Sequence, residues 1–266
     1  MRTVVSIFAV LLLSASGSVA GADKPNNDRD PWNGFGIGSW VIRTESFTRG
    51  DTTEAQRERV TRVEAKDPGS IQLQARREGK KPGAFDGGES TSWHIPGYDP
   101  ALDPKCKLLE TSKQDLEIRG KKYACEVRTY DLTRGENKAT ATFWHSKDAS
   151  APYREFGGEP RTLAVRPDVL RLDVDYQDKE RSMKTSVRVT NFSEERKVGE
   201  QKVVCVREEG EIEFSEGTMK GRGKMIAFLS NEVPGREVER IVEGDVGGTK
   251  FRKAYRVEAF ETVKEK

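Results

Sequence analysis

Two histidines, three cysteines and 44 acidic residues are the stock from which this 266-residue chain would draw any acid–base, nucleophilic or metal chemistry. His94 lies in a Gly- and Pro-rich stretch beside Trp93, Tyr98, Asp99 and Asp103. A loop imidazole among carboxylates can ligate a metal or act as a general base. A secreted hydrolase built on that loop around His94 is therefore the one catalytic reading available. His145 follows Trp144 in a strand-like run and reads as structural. No C-x-x-C and no Cys/His spacing of a zinc site occurs. G-x-S-x-G, H-E-x-x-H and the phosphate-cradling G-K-S/T are also missing. No catalytic residue, metal or cofactor is assigned. Asp173/Asp175 and Glu208/Glu209 are carboxylate pairs of the kind that strand faces and turns carry.

The aromatics suit binding better than catalysis. Trp32, Phe35, Trp40, Trp144, Phe228 and Tyr255 are large enough to line a ligand cavity, and equally to fill a small β core. Trp40, Trp93, His94, Trp144 and Phe228 form the candidate ligand-binding set.

The elements that must position them read as strands. Leu170, Leu172, Val174 and Tyr176 alternate with Arg171, Asp173 and Asp175, the period of a half-buried strand. Thr140, Thr142 and Trp144 fall on one side of a strand, Ala141, Phe143 and His145 on the other. Further strands are expected at Ser39–Phe47, Thr52–Lys66, Ile71–Ala75, Asp115–Ile118, Tyr123–Val127, Tyr153–Phe156 and Thr162–Val165. Others follow at Thr185–Phe192, Val203–Val206, Ile212–Phe214, Lys224–Leu229, Val238–Val242 and Phe251–Val263. Spacing of roughly ten residues between Gly-rich or charged turns indicates an antiparallel all-β protein. No amphipathic helix is expected. Residues 78–105 carry five glycines and four prolines and read as one long loop.

The N-terminus reads as a cleaved signal peptide over residues 1–22. Arg2 supplies the positive charge, Val4–Leu13 the apolar run and Ser14–Ala20 the small residues. The run is shorter than the roughly 20 residues that span a bilayer, and no lipobox cysteine follows. A polar linker, residues 23–30, comes next. Lys and Arg (46) nearly balance Asp and Glu (44), giving +2 overall and +1 once Arg2 is removed. That balance argues against nucleic acid as a partner. In a secreted chain the thiols meet an oxidising compartment. Cys125 and Cys205 sit among apolar neighbours and are expected as buried thiols, with Cys125–Cys205 and Cys106–Cys125 as the possible bridges.

One order of residues occurs twice. Gly120-Lys-Lys-Tyr-Ala-Cys125 precedes Trp144-His-Ser146-Lys-Asp148, and Gly199-Glu-Gln-Lys-Val-Val-Cys205 precedes Phe228-Leu-Ser230-Asn-Glu232-Val-Pro-Gly235. This implies two related modules: residues 31–166, holding the long loop, and residues 167–263. The unit resembles one found in uncharacterised secreted bacterial proteins and is similar in plan to the LolA/LolB-like lipoprotein carriers. The resemblance implies curved half-barrel sheets around an apolar cavity, and it brings no catalytic residues. The first copy departs from the pattern, with Ala149-Ser-Ala151 in place of Val-Pro-Gly. The expected function is that of a non-catalytic secreted or periplasmic envelope protein. It would bind a hydrophobic ligand (lipid or lipoprotein) or an envelope partner, with no transmembrane segment left after signal cleavage.

Overall fold

The computed structural model describes residues 30–64, 71–94, 97–157 and 162–264. The expected signal peptide and all but the last residue of the linker fall outside them. Among the described residues fifteen strands form an antiparallel all-β architecture. They are β1 (Trp40–Arg49), β2 (Thr52–Val63), β3 (Ile71–Arg77), β4 (Glu89–His94), β5 (Lys107–Ile118), β6 (Lys121–Asp131), β7 (Lys138–His145), β8 (Arg154–Phe156), β9 (Leu163–Val165), β10 (Val169–Gln177), β11 (Arg181–Val198), β12 (Gln201–Glu216), β13 (Met219–Leu229), β14 (Glu237–Val246) and β15 (Thr249–Glu261). Thirteen join one sheet in the order β4-β3-β2-β1-β15-β14-β13-β12-β11-β10-β7-β6-β5. Its outermost strands, β4 and β5, do not pair, so the sheet is not closed into a barrel. β8 and β9 form a second, two-stranded sheet.

The turns follow from local chemistry. Arg119-Gly120 links the paired residues Ile118 and Lys121 as a two-residue loop with φ of 50° and 78°. Both central residues of a type I′ turn need positive φ, which glycine accepts and arginine resists. Arg119→Asn, better suited to the left-handed region, is expected to raise stability by about 0.5–1 kcal/mol. The midpoint of a urea titration reads this.

Register builds one apolar inner face. Phe143, Leu172, Val187, Gly210, Met225, Val242, Lys253 and Phe47 lie in one cross-strand row through β7, β10, β11, β12, β13, β14, β15 and β1. The next row runs Ala141, Val174, Thr185, Ile212, Gly223, Gly244 and Phe251. Gly244 pairs with Phe251, and a Cβ there would lie 2.7 Å from the Phe251 ring and collide with the Arg222 carbonyl oxygen. Glycine lets the neighbouring ring lie across the strand. Gly244→Ala should cost roughly 1–3 kcal/mol, the range for overpacking, seen as a lower melting temperature.

The small sheet covers this face. Leu163, Val165 and Val169 are at most 2% exposed and pack with Phe143, Leu172, Val174 and Tyr176. Phe156 reaches both this cluster and the neighbouring one of Val187, Met225, Val242 and Phe251. Tyr98 bridges to Leu163 alongside β9, its N–H donating to Thr162 and its carbonyl accepting from Ala164.

Three local expectations change. Residues 78–105 are not loop throughout, because Glu89–His94 pairs with Ile71–Arg76 as edge strand β4. Val203–Val206 and Ile212–Phe214 are parts of one strand, β12, which runs straight through Arg207-Glu-Glu-Gly210. A charged stretch reads as a turn, but here Glu208 finds a buried cation, so the ladder continues. Leu170 does not join Leu172 and Val174. A bulge between Val169 and Arg171 sends it into a separate cluster with Trp144, Cys125 and Val189.

Candidate functional site

The chemically capable groups gather where the cover meets the sheet. Glu208 on β12 is 4% exposed and Arg154 at the start of β8 is 8% exposed; they form an ion pair. Arg154 Nη2 also donates to the Val169 carbonyl at 3.0 Å. Burial lowers the pKa of the Arg154 guanidinium and raises that of the Glu208 carboxyl, while their mutual attraction opposes both shifts. The cross-strand row of Glu208 continues through Ala227, Arg240, Tyr255 and Glu45. Arg240 pairs with Glu237. Arg43 donates from Nε to Glu58 at 2.6 Å and lies 5.6 Å from the centre of the Tyr255 ring. Burial raises the Tyr255 pKa and outweighs the opposing charge of Arg43. Cations and carboxylates alternate along this band, so each is neutralised by a neighbour.

A recess of about 430 Å³ opens beside it, lined by residues including Ser146, Lys147, Tyr153, Arg166 and Asp168. His145 Nδ1 lies 3.0 Å from Asp168 Oδ2, and the Arg166 guanidinium grips the same carboxylate at 3.0–3.2 Å. Burial pushes the Asp168 carboxyl up, but hydrogen bonds from His145 and Arg166 and their charge more than offset it, leaving its pKa well below the usual range. His145 Nε2 is buried, turned away from solvent. Ser146 is 1% exposed and its Oγ accepts from the Asp148 N–H. His145, Asp168 and Ser146 are thus neighbours without the aligned proton path of a triad.

A second recess, about 470 Å³, lies at the far end of β11, β12 and β13. Its lining includes Lys184, Glu213, Phe214, Arg222 and Asp245. Near it, the Asp178 carboxylate turns the chain between β10 and β11. It accepts from the Glu180 and Arg181 N–H groups at 2.9 and 2.7 Å and from the Tyr176 hydroxyl at 2.8 Å. Partial burial acts to raise its pKa, but these bonds and the Arg181 guanidinium outweigh it and lower the pKa to about 2. A depressed carboxylate pKa contributes stability above the unfolded value, near 4, that is lost as pH falls toward the folded value. Acid titration between about pH 4 and pH 2 should therefore lower stability, and Asp178→Asn should flatten that slope. Chemical denaturation repeated across this range measures it.

Of the aromatics proposed for ligand contact, Trp40, Trp144 and Phe228 lie in separate places. Trp144 is 6% exposed, donates from Nε1 to Gln114 at 3.0 Å, and carries the Arg171 guanidinium 4.5 Å above its ring. Asp173 holds Arg171 with two bonds, at 3.0 and 2.7 Å. Phe228 is 3% exposed, in another cluster, with Arg196 3.4 Å from its ring centre. Trp40 is half-buried beneath Arg59 at 4.5 Å and donates to Glu261 at 2.8 Å. The side chains of Trp93 and His94 lie outside the described residues. Trp144, Phe228 and Trp40 thus each meet an arginine, in three separate places.

All three cysteines are free, with Cys125 and Cys205 buried. Burial pushes the Cys205 thiol up to about 11 and raises those of Cys106 and Cys125. The nucleophilic thiolate is thereby disfavoured. Among the described residues no group of three or more His, Cys, Asp or Glu is placed to hold a metal ion, and no helix is long and apolar enough to cross a membrane.

Arg154 and Glu208 escaped the sequence reading. The available signal was a charged pair, Glu208-Glu209, set inside an apolar alternation, where one of the two must face inward.

No family model matches the chain. No curated protein matches it either. Among solved structures it is similar to a Bacteroides fragilis protein named "putative exported protein with YMCC-like fold". The identity is 8%, the coverage 86% of this chain and 97% of that one, and the TM-score 0.31.

Proposed function

We propose that the chain is a secreted or periplasmic, non-catalytic scaffold that holds an envelope partner, built from two copies of one β unit over residues 31–166 and 167–263. The observation that carries the reading is the filled inner face. The β8–β9 cover lies on the apolar rows, and the Arg154–Glu208 pair fastens it there. A lipid carrier needs that volume empty, and the two described recesses lie away from this filled face, each with charged side chains in its lining. Among the described residues, His145 is committed to Asp168, and the thiols of Cys125 and Cys205 to burial.

The two-copy reading is supported by register. Glu126, after Cys125, pairs with His145, before Ser146; Val206, after Cys205, pairs with Leu229, before Ser230. Both serines are 1% exposed, and each accepts from the N–H two residues on, Asp148 at 3.4 Å and Glu232 at 3.2 Å. What recurs is backbone and packing, which suits a scaffold. Secretion rests on residues 1–22 of the sequence.

Titration with a fluorescent fatty-acyl probe tests the choice of partner over lipid. The expected result is no saturable binding to the folded mature chain. Stoichiometric, saturable binding that a natural phospholipid displaces would overturn it.

A further inference from the structure

We propose that Asn33-Gly34 is a site of self-modification, at which the Gly34 backbone nitrogen attacks the Asn33 side chain and converts it, through a succinimide, to aspartate and isoaspartate. The asparagines of the chain are Asn26, Asn27, Asn33, Asn137, Asn191 and Asn231, and only Asn33 precedes a glycine. A side chain on the following residue crowds the attacking nitrogen, and glycine has none. The fold also sets the reacting groups side by side. The Gly34 N–H donates to Asn33 Oδ1 at 3.1 Å, which holds the nitrogen beside the carbonyl carbon that bears this oxygen. Gly34 is exposed with φ of 84°, and a Cβ there would meet nothing within 4 Å. The tip of the turn is therefore open to water.

Water is the one co-reactant the chemistry needs. The Gly34 nitrogen loses its proton to solvent base and bonds to Asn33 Cγ. The Cγ–Nδ2 bond breaks, and Nδ2 takes up a proton and leaves as ammonia. Water then opens the ring. Cleavage of the new N–Cγ bond gives aspartate. Cleavage of the original backbone C–N bond gives isoaspartate, whose main chain is longer by a carbon. The surroundings make the second product consequential. Trp32 and Phe35 flank the pair and are 5% and 7% exposed. The Phe35 N–H donates to the Trp32 carbonyl at 3.2 Å, and Phe35 bridges to Lys264. A longer main chain between these two anchors breaks their spacing, so isoaspartate loosens this segment from the end of the sheet, whereas aspartate leaves it in place.

The test incubates the folded, full mature chain at neutral and at mildly alkaline pH. Peptide mapping by mass spectrometry follows each asparagine, and an isoaspartyl methyltransferase assay reads the second product. Asn33 is expected to lose ammonia about tenfold faster or more than Asn137, Asn191 and Asn231, the ratio that a barrier lower by about 1.4 kcal/mol gives. The rate should rise with pH, because the attacking nitrogen must shed its proton. Asn33→Gln, whose longer side chain closes a larger and slower-forming ring, should abolish the isoaspartate signal while circular dichroism shows an unchanged fold. Ammonia loss at Asn33 no faster than at the other three asparagines would overturn the proposal. So would an Asn33 that stays intact in the folded chain while the urea-unfolded chain converts it, since the turn would then protect the pair.

Discussion

Arg154→Ala is expected to destabilise the fold by about 3–5 kcal/mol, because it leaves Glu208 charged and uncompensated in the interior. A well-packed apolar replacement of both partners behaves differently. Arg154→Met with Glu208→Leu removes two desolvation costs together with one attraction, and should recover most of the loss or exceed the wild type. The single variant should also acquire a pH dependence. Burial already raises the Glu208 pKa, and the Arg154 charge is the main influence opposing that rise. Without Arg154 the folded-state pKa climbs further above the unfolded one. Stability is then fully present below the unfolded value and lost as pH rises through the folded one. Arg154→Ala should therefore melt at a higher temperature in mildly acidic buffer than at neutral pH. Urea titrations of the two single variants and the double variant measure the cycle, and equal losses in single and double variants would sink the account of the pair.

Trp144→Ala should cost about 3–5 kcal/mol, the range for deleting a large buried aromatic. It removes the ring from the cluster that holds Cys125, Val127 and Leu170, frees the Gln114 acceptor, and leaves Arg171 without its platform. Phe228→Ala should behave alike beneath Arg196. Trp40→Ala should cost less, since Trp40 is only half-buried. Thermal melts of the three variants test this. Aromatics that served a ligand would instead show small, similar losses of stability and a clear loss of ligand affinity.

Much of the fold was legible because alternation carries direct information in a half-buried sheet. Leu172, Val174 and Tyr176 face the interior, with Arg171 and Asp173 outside, as their order implies. Trp144 and Phe143 lie on opposite faces for the same reason. What sequence could not convey was the partner of each exception. Glu208 reads as a turn residue until Arg154, far away in the chain, is placed against it. Leu170 follows the alternation in sequence, yet a bulge assigns it to another cluster. β4 was hidden because its polar residues, Glu89-Ser-Thr-Ser92, pair at an edge and carry no apolar period. The candidate binding residues were chosen by type, and type cannot distinguish an aromatic facing a cavity from one beneath a guanidinium.

The central claim is that β8–β9 is a fixed part of the core, not a lid over a ligand chamber. Native-state hydrogen exchange at its amides tests this directly. Tyr98 and Ala164 donate across the cover at 2.9 Å, and Arg154–Phe156 pairs with Leu163–Val165. The account predicts that these amides exchange only through global unfolding, with the same free energy as Leu172 and Val187 in the sheet. Exchange through a low-energy local opening, while the sheet stays protected, would contradict it.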